Sequence, residues 1–304
     1  MAPQETGKYE EMTDWVLAGA TWAQVLAEGQ KKLQDAGVAE YSLDAWYLFE
    51  HAFGISRMQY FMCSVQKADP TEDALKKYKE GIIRRATREP LQHILGTQEF
   101  MGLEFYVNRH TLIPRQDTET LVETVLAGHK EKNVKVLDMC TGSGCIAISL
   151  AALGGYAVVE AADLSVEALK VAEKNAKTLV DGKIGFRHSD LFAAFDPEID
   201  KYDIIVSNPP YIPSDVIEEL EPEVRDFEPR SALDGTEDGL FFYEKLAEQC
   251  GSFLKENGAV YFEIGHDQGE AVENLLRTHG FKDTKTIKDL AGNDRVVCGR
   301  WQSV

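Results

Sequence analysis

The second half of the chain constrains the fold most, because short apolar segments alternate there with amphipathic stretches from Asn133 onward. Short continuous apolar runs fit buried strands, whereas apolar residues recurring every three or four positions fit helices. The predicted strands are Val134–Met139, Ala157–Asp163, Gly185–His188, Asp203–Ser207, Ala259–Ile264, Lys282–Lys288 and Arg295–Gly299. The predicted helices are Cys145–Leu153, Val166–Leu179, Leu240–Lys255 and Gly269–Thr278. This alternation predicts an α/β fold with a parallel, doubly wound sheet.

The first part of the chain has a different pattern, with apolar residues at helical spacing and few strand signals. We predict a disordered tail over residues 1–12 and a small helical domain over residues 13–88. Residues 89–110 are predicted to form a linker containing a β-hairpin around Gly102, and residues 111–304 the sheet domain.

Composition narrows the class of partner. The net charge of -19 repels phosphate backbones, so direct nucleic-acid binding is not expected, and an acidic surface suits a basic protein partner. The five cysteines form no pair with metal-ligand spacing, which predicts reduced thiols, no metal site and a cytoplasmic location. The chain has no apolar run near the ~18 residues that span a membrane and no signal-peptide pattern, so no membrane association is expected.

The first candidate site follows the strand Val134–Met139, which runs into the turn Cys140-Thr141-Gly142-Ser143-Gly144. Glycines there allow close approach of a ligand to the backbone, and no Gly-Lys-Ser/Thr phosphate motif is present. Asp138 before the turn would repel a phosphate but attract a sulfonium. Asp163, which ends the next strand, suits ribose hydroxyls.

Asp190 and Leu191, after the third strand, are positioned to meet an adenine. Two other interpretations stay open for this region: an ordinary strand–helix turn without a ligand, and an NAD site. The two acidic strand ends and the lack of a second nucleotide-binding half make NAD the weaker of the functional interpretations.

The second candidate site is the segment Asn208-Pro209-Pro210-Tyr211, directly after the strand Asp203–Ser207. Ligands of doubly wound sheets bind beyond the carboxyl ends of the strands, so this segment is expected beside the glycine turn. The Asn208 side-chain oxygen and the Pro209 carbonyl can accept hydrogen bonds from both N–H groups of a planar nitrogen. Tyr211 can stack on the planar group. The alternative is a simple strand-ending turn, which two prolines alone would also indicate.

With these residues in view, the chain resembles the HemK/PrmC family of release-factor glutamine N5-methyltransferases. One part of the resemblance is the segment Asn208-Pro209-Pro210-Tyr211, here called the acceptor motif. The other segments that carry it are Glu89–Gly96, Leu112–Glu119, Phe262–Gly265, Gln268-Gly269 and Asp289–Arg300. The resemblance implies a Rossmann-like class I S-adenosylmethionine-dependent methyltransferase domain with a seven-stranded sheet. It also implies methylation of the glutamine in the Gly-Gly-Gln motif of peptide chain release factors, leaving S-adenosylhomocysteine.

The resemblance also implies roles for individual residues, a monomer and recognition of the release factor by the helical domain. The catalytic residues would be Asn208, Pro209 and Tyr211, and the substrate-binding residues Asn208, Pro209, Pro210 and Tyr211. The cofactor-binding residues would be Cys140, Thr141, Gly142, Ser143, Gly144, Asp163, Asp190, Leu191 and Asn208. Methyltransferases of exocyclic base amines in RNA or DNA share the acceptor motif and are the main alternative. A non-catalytic cofactor-binding scaffold is a further one.

Three residues depart from the family pattern: Cys140 replaces a glycine, Gln116 a proline and Leu191 an aromatic residue found in some relatives. Arg115 and Thr118 are expected to line the acceptor pocket or to approach the cofactor's carboxylate, and the alternative for Arg115 is an ion pair with Glu119. Glu263 is expected to be either an orienting group near the site or a solvated carboxylate.

Overall fold

The computed structural model of the chain describes Trp15 and residues 19–302. The tail predicted for residues 1–12 lies outside the described residues. The chain divides into two compact units, with the boundary between Gly96 and Thr97. That boundary falls inside the predicted linker of residues 89–110, and the predicted domain limits themselves stay a proposal.

The first unit is helical, as predicted. Its helices are α1 (Trp22–Asp35), α2 (Tyr41–Phe53), α3 (Arg57–Cys63), α4 (Glu72–Ala86) and α5 (Leu91–Leu95). The Thr21 side chain accepts a hydrogen bond from the backbone of Gln24, which fixes the start of α1. Phe49, fully buried, packs its ring against the rings of Trp22 and Tyr78 at centroid distances of 5.8 Å each. This aromatic core holds the short helices together.

The second unit begins with the predicted hairpin, formed by β1 (Thr97–Phe100) and β2 (Leu103–Tyr106). Met101 and Gly102 in the turn both have positive φ angles, 52° and 73°, which a two-residue hairpin turn requires. Phe100 and Phe105 are buried, so the hairpin is packed into the core of this unit.

The main sheet has seven strands in the order β5-β4-β3-β6-β7-β9-β8. They are β3 (Lys135–Met139), β4 (Val158–Asp163), β5 (Ile184–His188), β6 (Tyr202–Ser207), β7 (Leu254–Glu263), β8 (Lys282–Lys288) and β9 (Asp294–Arg300). Neighbours from β5 to β7 are parallel, while β9 is antiparallel to β7 and β8. The strand order reverses between β3 and β6, and ligand sites form at such a switch point. The predicted fold class is confirmed.

Helices cover both faces of this sheet. The α-helices of this unit are α6 (Gln116–Gly128), α7 (Cys145–Ser149), α8 (Val166–Leu179), α9 (Pro222–Arg225), α10 (Phe241–Cys250) and α11 (Gly269–Thr278). Helices α6, α7 and α8 contribute to one apolar core with the hairpin, and α10 and α11 contribute to the other. Within the described part of the chain, no helix combines the length and apolar character needed to cross a bilayer.

Two predicted boundaries are wrong around β7. The predicted helix Leu240–Lys255 ends instead at Cys250, and β7 starts at Leu254 rather than at Ala259. Leu254 is buried opposite Tyr202 of β6, so its apolar side chain serves the sheet rather than a helix face. An irregularity in the pairing of β6 with β7 then accommodates the extra residues.

Candidate active site

The two predicted motifs lie side by side because β3 and β6 are neighbouring parallel strands. Their last residues, Met139 and Ser207, are register partners, and the Ser207 hydroxyl donates to the Met139 carbonyl at 2.7 Å. The glycine turn and the Asn208 segment therefore leave adjacent strand ends at the same edge of the sheet.

The turn after β3 uses left-handed backbone conformations at Cys140, Gly142 and Gly144, whose φ angles are 63°, 56° and 80°. Side chains other than glycine adopt this region at a cost of roughly 1–2 kcal/mol, which explains why glycine is usual at the position of Cys140. Asn175 of α8 stabilises the turn, because its side-chain amide donates to the Ser143 carbonyl at 2.9 Å and to the Tyr106 carbonyl at 3.0 Å. Sequence reasoning missed Asn175, which looks like any polar helix residue.

Two carboxylates, those of Asp138 and Asp163, accept hydrogen bonds from the turn after β3. The buried Asp138 carboxylate accepts hydrogen bonds from the Thr141 hydroxyl at 2.6 Å and the Ala147 N–H at 3.2 Å. Its other oxygen has no partner among the described residues. Asp163 accepts from the N–H groups of Gly142 and Ser165, each at 2.8 Å. Burial raises the pKa of Asp163, and these backbone hydrogen bonds oppose that rise.

Asp138 gives a testable pH dependence of stability. Burial raises its pKa from 3.8 to about 7, so the folded state binds a proton more tightly than the unfolded chain. The stability that this proton provides is lost as pH rises through about 7. Because Asp138→Asn removes this titration, we expect its free energy of unfolding to increase relative to wild type by more than about 1 kcal/mol from about pH 5 to about pH 8. Urea denaturation at both pH values measures the difference, and a constant difference would contradict the assignment.

A cavity of about 330 Å³ opens above the two strand ends, a size typical of small-molecule sites. The predicted site residues that line it are Cys140, Thr141, Gly142, Ser143, Asp163, Asn208 and Pro210. The lining does not include Gly144, Asp190, Leu191, Pro209 or Tyr211. Asp190 is exposed, and the assignment of Asp190 and Leu191 to an adenine stays a prediction.

Two further loops line the cavity. One, His110–Thr111, precedes α6, and the other contributes Pro229, Ser231 and Ala232. Neither directly follows a strand of the main sheet, so neither carried the signal that identified the two motifs.

Glu228 connects the segments that carry these loops. Its buried carboxylate accepts from the Ile113 N–H at 3.3 Å and pairs with the Arg115 guanidinium. The predicted alternative pairing of Arg115 with Glu119 is wrong, since Glu119 accepts instead from the Met101 N–H at 2.6 Å. Arg115 and Thr118 do line the cavity, as the other alternative predicts.

Neighbouring side chains hold the segment Asn208-Pro209-Pro210-Tyr211 by hydrogen bonds at both ends. The Asn208 amide nitrogen lies 3.4 Å from the Thr118 hydroxyl, which leaves the Asn208 oxygen available to another donor. Gln268 fixes the next part of the segment, because its amide donates to the Tyr211 carbonyl at 3.0 Å and accepts from the Gly265 N–H at 2.9 Å. No group of three or more potential metal ligands occurs in the described part of the chain.

Comparisons with known proteins agree with this geometry. Residues 24–96 match the PrmC N-terminal domain family, and residues 116–219 match the Methyltransferase small domain family. The chain is 40% identical over 278 residues to the release factor glutamine methyltransferase of Clostridium botulinum, covering 91% of this chain and 98% of that protein. It is 41% identical over 271 residues to the one from Caulobacter vibrioides, covering 88% and 92%.

The chain belongs to the release factor glutamine methyltransferase family. It is therefore an enzyme with a methyltransferase fold. A crystal structure of a methyltransferase from Pyrococcus furiosus shares this fold, with a TM-score of 0.52 at 16% identity over 73% of this chain and 99% of that chain. Gln116, where the family pattern has proline, is the first residue of α6, a position that favours proline but also tolerates other residues.

Gly239 packs closely against Tyr211, the last residue of the acceptor motif, and against Gln268. A Cβ added there would clash with the Tyr211 carbonyl oxygen and would lie 2.7 Å from the Gln268 amide nitrogen, and the φ of Gly239 is +74°. We expect Gly239→Ala to lower the free energy of unfolding by about 3 kcal/mol or more. Gly292→Ala is the matched control, because Gly292 has a φ of +87° and no atom within 4 Å of the added Cβ. Equal losses of stability in urea denaturation would show that backbone strain alone is responsible.

Proposed function

We propose that this enzyme transfers a methyl group from S-adenosylmethionine to the side-chain amide nitrogen of the glutamine in the Gly-Gly-Gln motif of peptide chain release factors. The observation that supports this most is the Asn208 segment beside the glycine turn, with the Asn208 nitrogen turned to Thr118 and its oxygen left for a substrate N–H. The names of the relatives support the choice of release factors.

The residues of the turn fit the cofactor. The cavity has the volume of a small-molecule site, the left-handed turn lets a ligand approach the backbone, and Asp163 in the lining favours positive charge over phosphate. Residues Cys140 to Gly144 would hold the methionine part, Asp163 the ribose, and Asp190 with Leu191 the adenine. The bound cofactor supplies an electrophilic methyl group on a sulfonium.

The chain's own residues then act on the acceptor. An amide nitrogen is a weak nucleophile because its lone pair is delocalised. The Asn208 oxygen and the Pro209 carbonyl would accept hydrogen bonds from its two N–H groups, and Tyr211 would stack against its plane. This positioning holds the nitrogen in line for displacement, and such proximity effects contribute ~7–11 kcal/mol. The acceptor nitrogen gains the methyl group and releases one of its two protons to solvent, and the product left behind is S-adenosylhomocysteine.

Mass spectrometry of a purified, unmethylated release factor after incubation with the enzyme and S-adenosylmethionine tests the proposal. We expect one added methyl group, and fragmentation should place it on the Gly-Gly-Gln glutamine. A release factor with glutamate at that position is the matched control and should gain none. Transfer to added RNA or DNA instead of the release factor would favour the base-amine alternative, which the net charge of -19 opposes.

We also propose that the enzyme is a monomer and that it does not bind nucleic acid directly. Light scattering of the purified chain and a salt titration of its affinity for RNA would test them separately.

A further inference from the structure

Glu263 is a buried carboxylate next to the acceptor segment that the mechanism above does not use. It ends β7, its exposed fraction is 2%, and one of its carboxylate oxygens has no hydrogen-bond partner among the described residues. Ser207 of β6 is the register partner of Phe262 in β7, so Asn208 and Glu263 follow this pair on neighbouring strands. The alternative that Glu263 is a solvated carboxylate is therefore wrong.

The Glu263 carboxylate interacts with the two side chains that meet at the acceptor motif. The Asn208 side-chain nitrogen lies 3.4 Å from the Thr118 hydroxyl oxygen. Hydrogen bonding with the side chains of Thr118 and Asn208 favours the charged form of the Glu263 carboxylate and lowers its pKa. A carboxylate only accepts hydrogen bonds, and a hydroxyl has a single hydrogen to donate. When Thr118 donates to Glu263, its oxygen can only accept from Asn208, which must then present its N–H₂ group on that side.

We propose that Glu263 is a positioning residue that, together with Thr118, fixes the Asn208 amide so that its oxygen faces the methyl acceptor. The inference rests on the proposed function, because the orientation matters only if the acceptor donates N–H groups to Asn208. A reversed Asn208 amide would set N–H against N–H and lose the hydrogen bond that holds the substrate nitrogen.

The surroundings of Glu263 determine how its charge responds to pH. Arg295 of β9 and Asp117 of α6 act electrostatically on the Glu263 carboxylate. Burial, and in addition the charge of Glu263, raises the pKa of Tyr211, Cys145 and Tyr243. The Tyr243 hydroxyl donates to the Glu263 backbone carbonyl at 2.7 Å. Burial raises the pKa of Glu263 from 4.5 to about 7, and the hydrogen bond from Thr118 and the charge of Arg295 oppose this rise. The carboxylate that orients Thr118 thus forms as pH increases through about 7.

Steady-state methylation of an unmethylated release factor by the full chain, measured from about pH 6 to about pH 9, tests the inference. We expect wild-type kcat to rise through about pH 7. Glu263→Gln, which keeps the side-chain volume but offers an N–H group, should lower kcat about 10- to 100-fold and flatten this pH profile. The KM values for both substrates should stay within about threefold, since only the orientation at the reacting nitrogen changes.

Thr118→Val and Thr118→Ser provide a second, matched test that does not depend on Glu263→Gln folding. Valine removes the hydroxyl and should reproduce the loss in kcat, whereas serine keeps it and should recover wild-type kcat within about threefold. Equal kcat values for the two Thr118 variants, or a wild-type pH profile in a folded Glu263→Gln protein, would overturn the inference alone. Absence of methyl transfer to the release factor by the wild-type chain would overturn the proposed function and the inference together.

Discussion

Replacing Asn208 with alanine is expected to reduce kcat for release-factor methylation by about a thousandfold. The variant removes the oxygen that would accept a hydrogen bond from the acceptor nitrogen, and it leaves the Thr118 hydroxyl without its 3.4 Å partner. The Asp138 and Asp163 contacts that shape the glycine turn do not involve Asn208. Binding of S-adenosylmethionine should therefore weaken by less than about tenfold.

Single-turnover methylation with saturating cofactor measures the chemical step, and calorimetry measures cofactor binding separately. Asn274→Ala is the control, because Asn274 is an exposed asparagine of α11 outside the cavity lining. This control should match wild type in both measurements. If the Asn208→Ala enzyme methylated the release factor within tenfold of the wild-type rate, other groups would be responsible for the chemistry. The acceptor motif would then be a simple strand-ending turn.

The location of the site could be predicted from sequence because it depends on strand ends. Apolar segments buried on both faces are continuous, so β3 and β6 are recognisable, and the residues that follow them must meet at one edge of a parallel sheet. Helix α8 and helix α11 were predicted with the observed limits, since their apolar residues recur at helical spacing. All seven strands were predicted individually, whereas a single seven-stranded sheet was implied by the family resemblance.

The segments that complete the cavity could not be predicted, because their positions depend on contacts between residues that are far apart in the sequence. Glu228 contacts Ile113 across 115 positions, and no local pattern identifies such a pair. Helix α6 was not predicted as an element, although the segment containing Arg115 and Thr118 was noted through the family resemblance. The start of β7 was missed because Leu254 fits a helix face as well as a strand, and only its burial opposite Tyr202 distinguishes the two.

Replacing Asp163 with alanine is expected to weaken S-adenosylmethionine binding by at least about a hundredfold. Each Asp163 oxygen accepts one backbone N–H, from Gly142 in the turn and from Ser165 before α8, at 2.8 Å. The variant would leave both N–H groups without this acceptor, release the left-handed turn and remove the carboxylate proposed to hold the ribose. The resulting loss, about 2.7 kcal/mol or more, exceeds that of an ordinary exposed contact.

Calorimetric titration of S-adenosylmethionine into each variant measures this loss of affinity. Asp163→Asn separates the loss of the backbone hydrogen bonds from the loss of the carboxylate. The asparagine oxygen can accept from only one of the two N–H groups, so we expect an intermediate affinity, between wild type and Asp163→Ala. Asp35→Ala changes the net charge equally at an exposed position of α1, outside the cavity lining, and should bind as wild type does. If Asp163→Ala bound the cofactor within about threefold of wild type, the cavity above β3 would not be its ribose site, because removal of a carboxylate that accepts two backbone N–H groups there should cost far more.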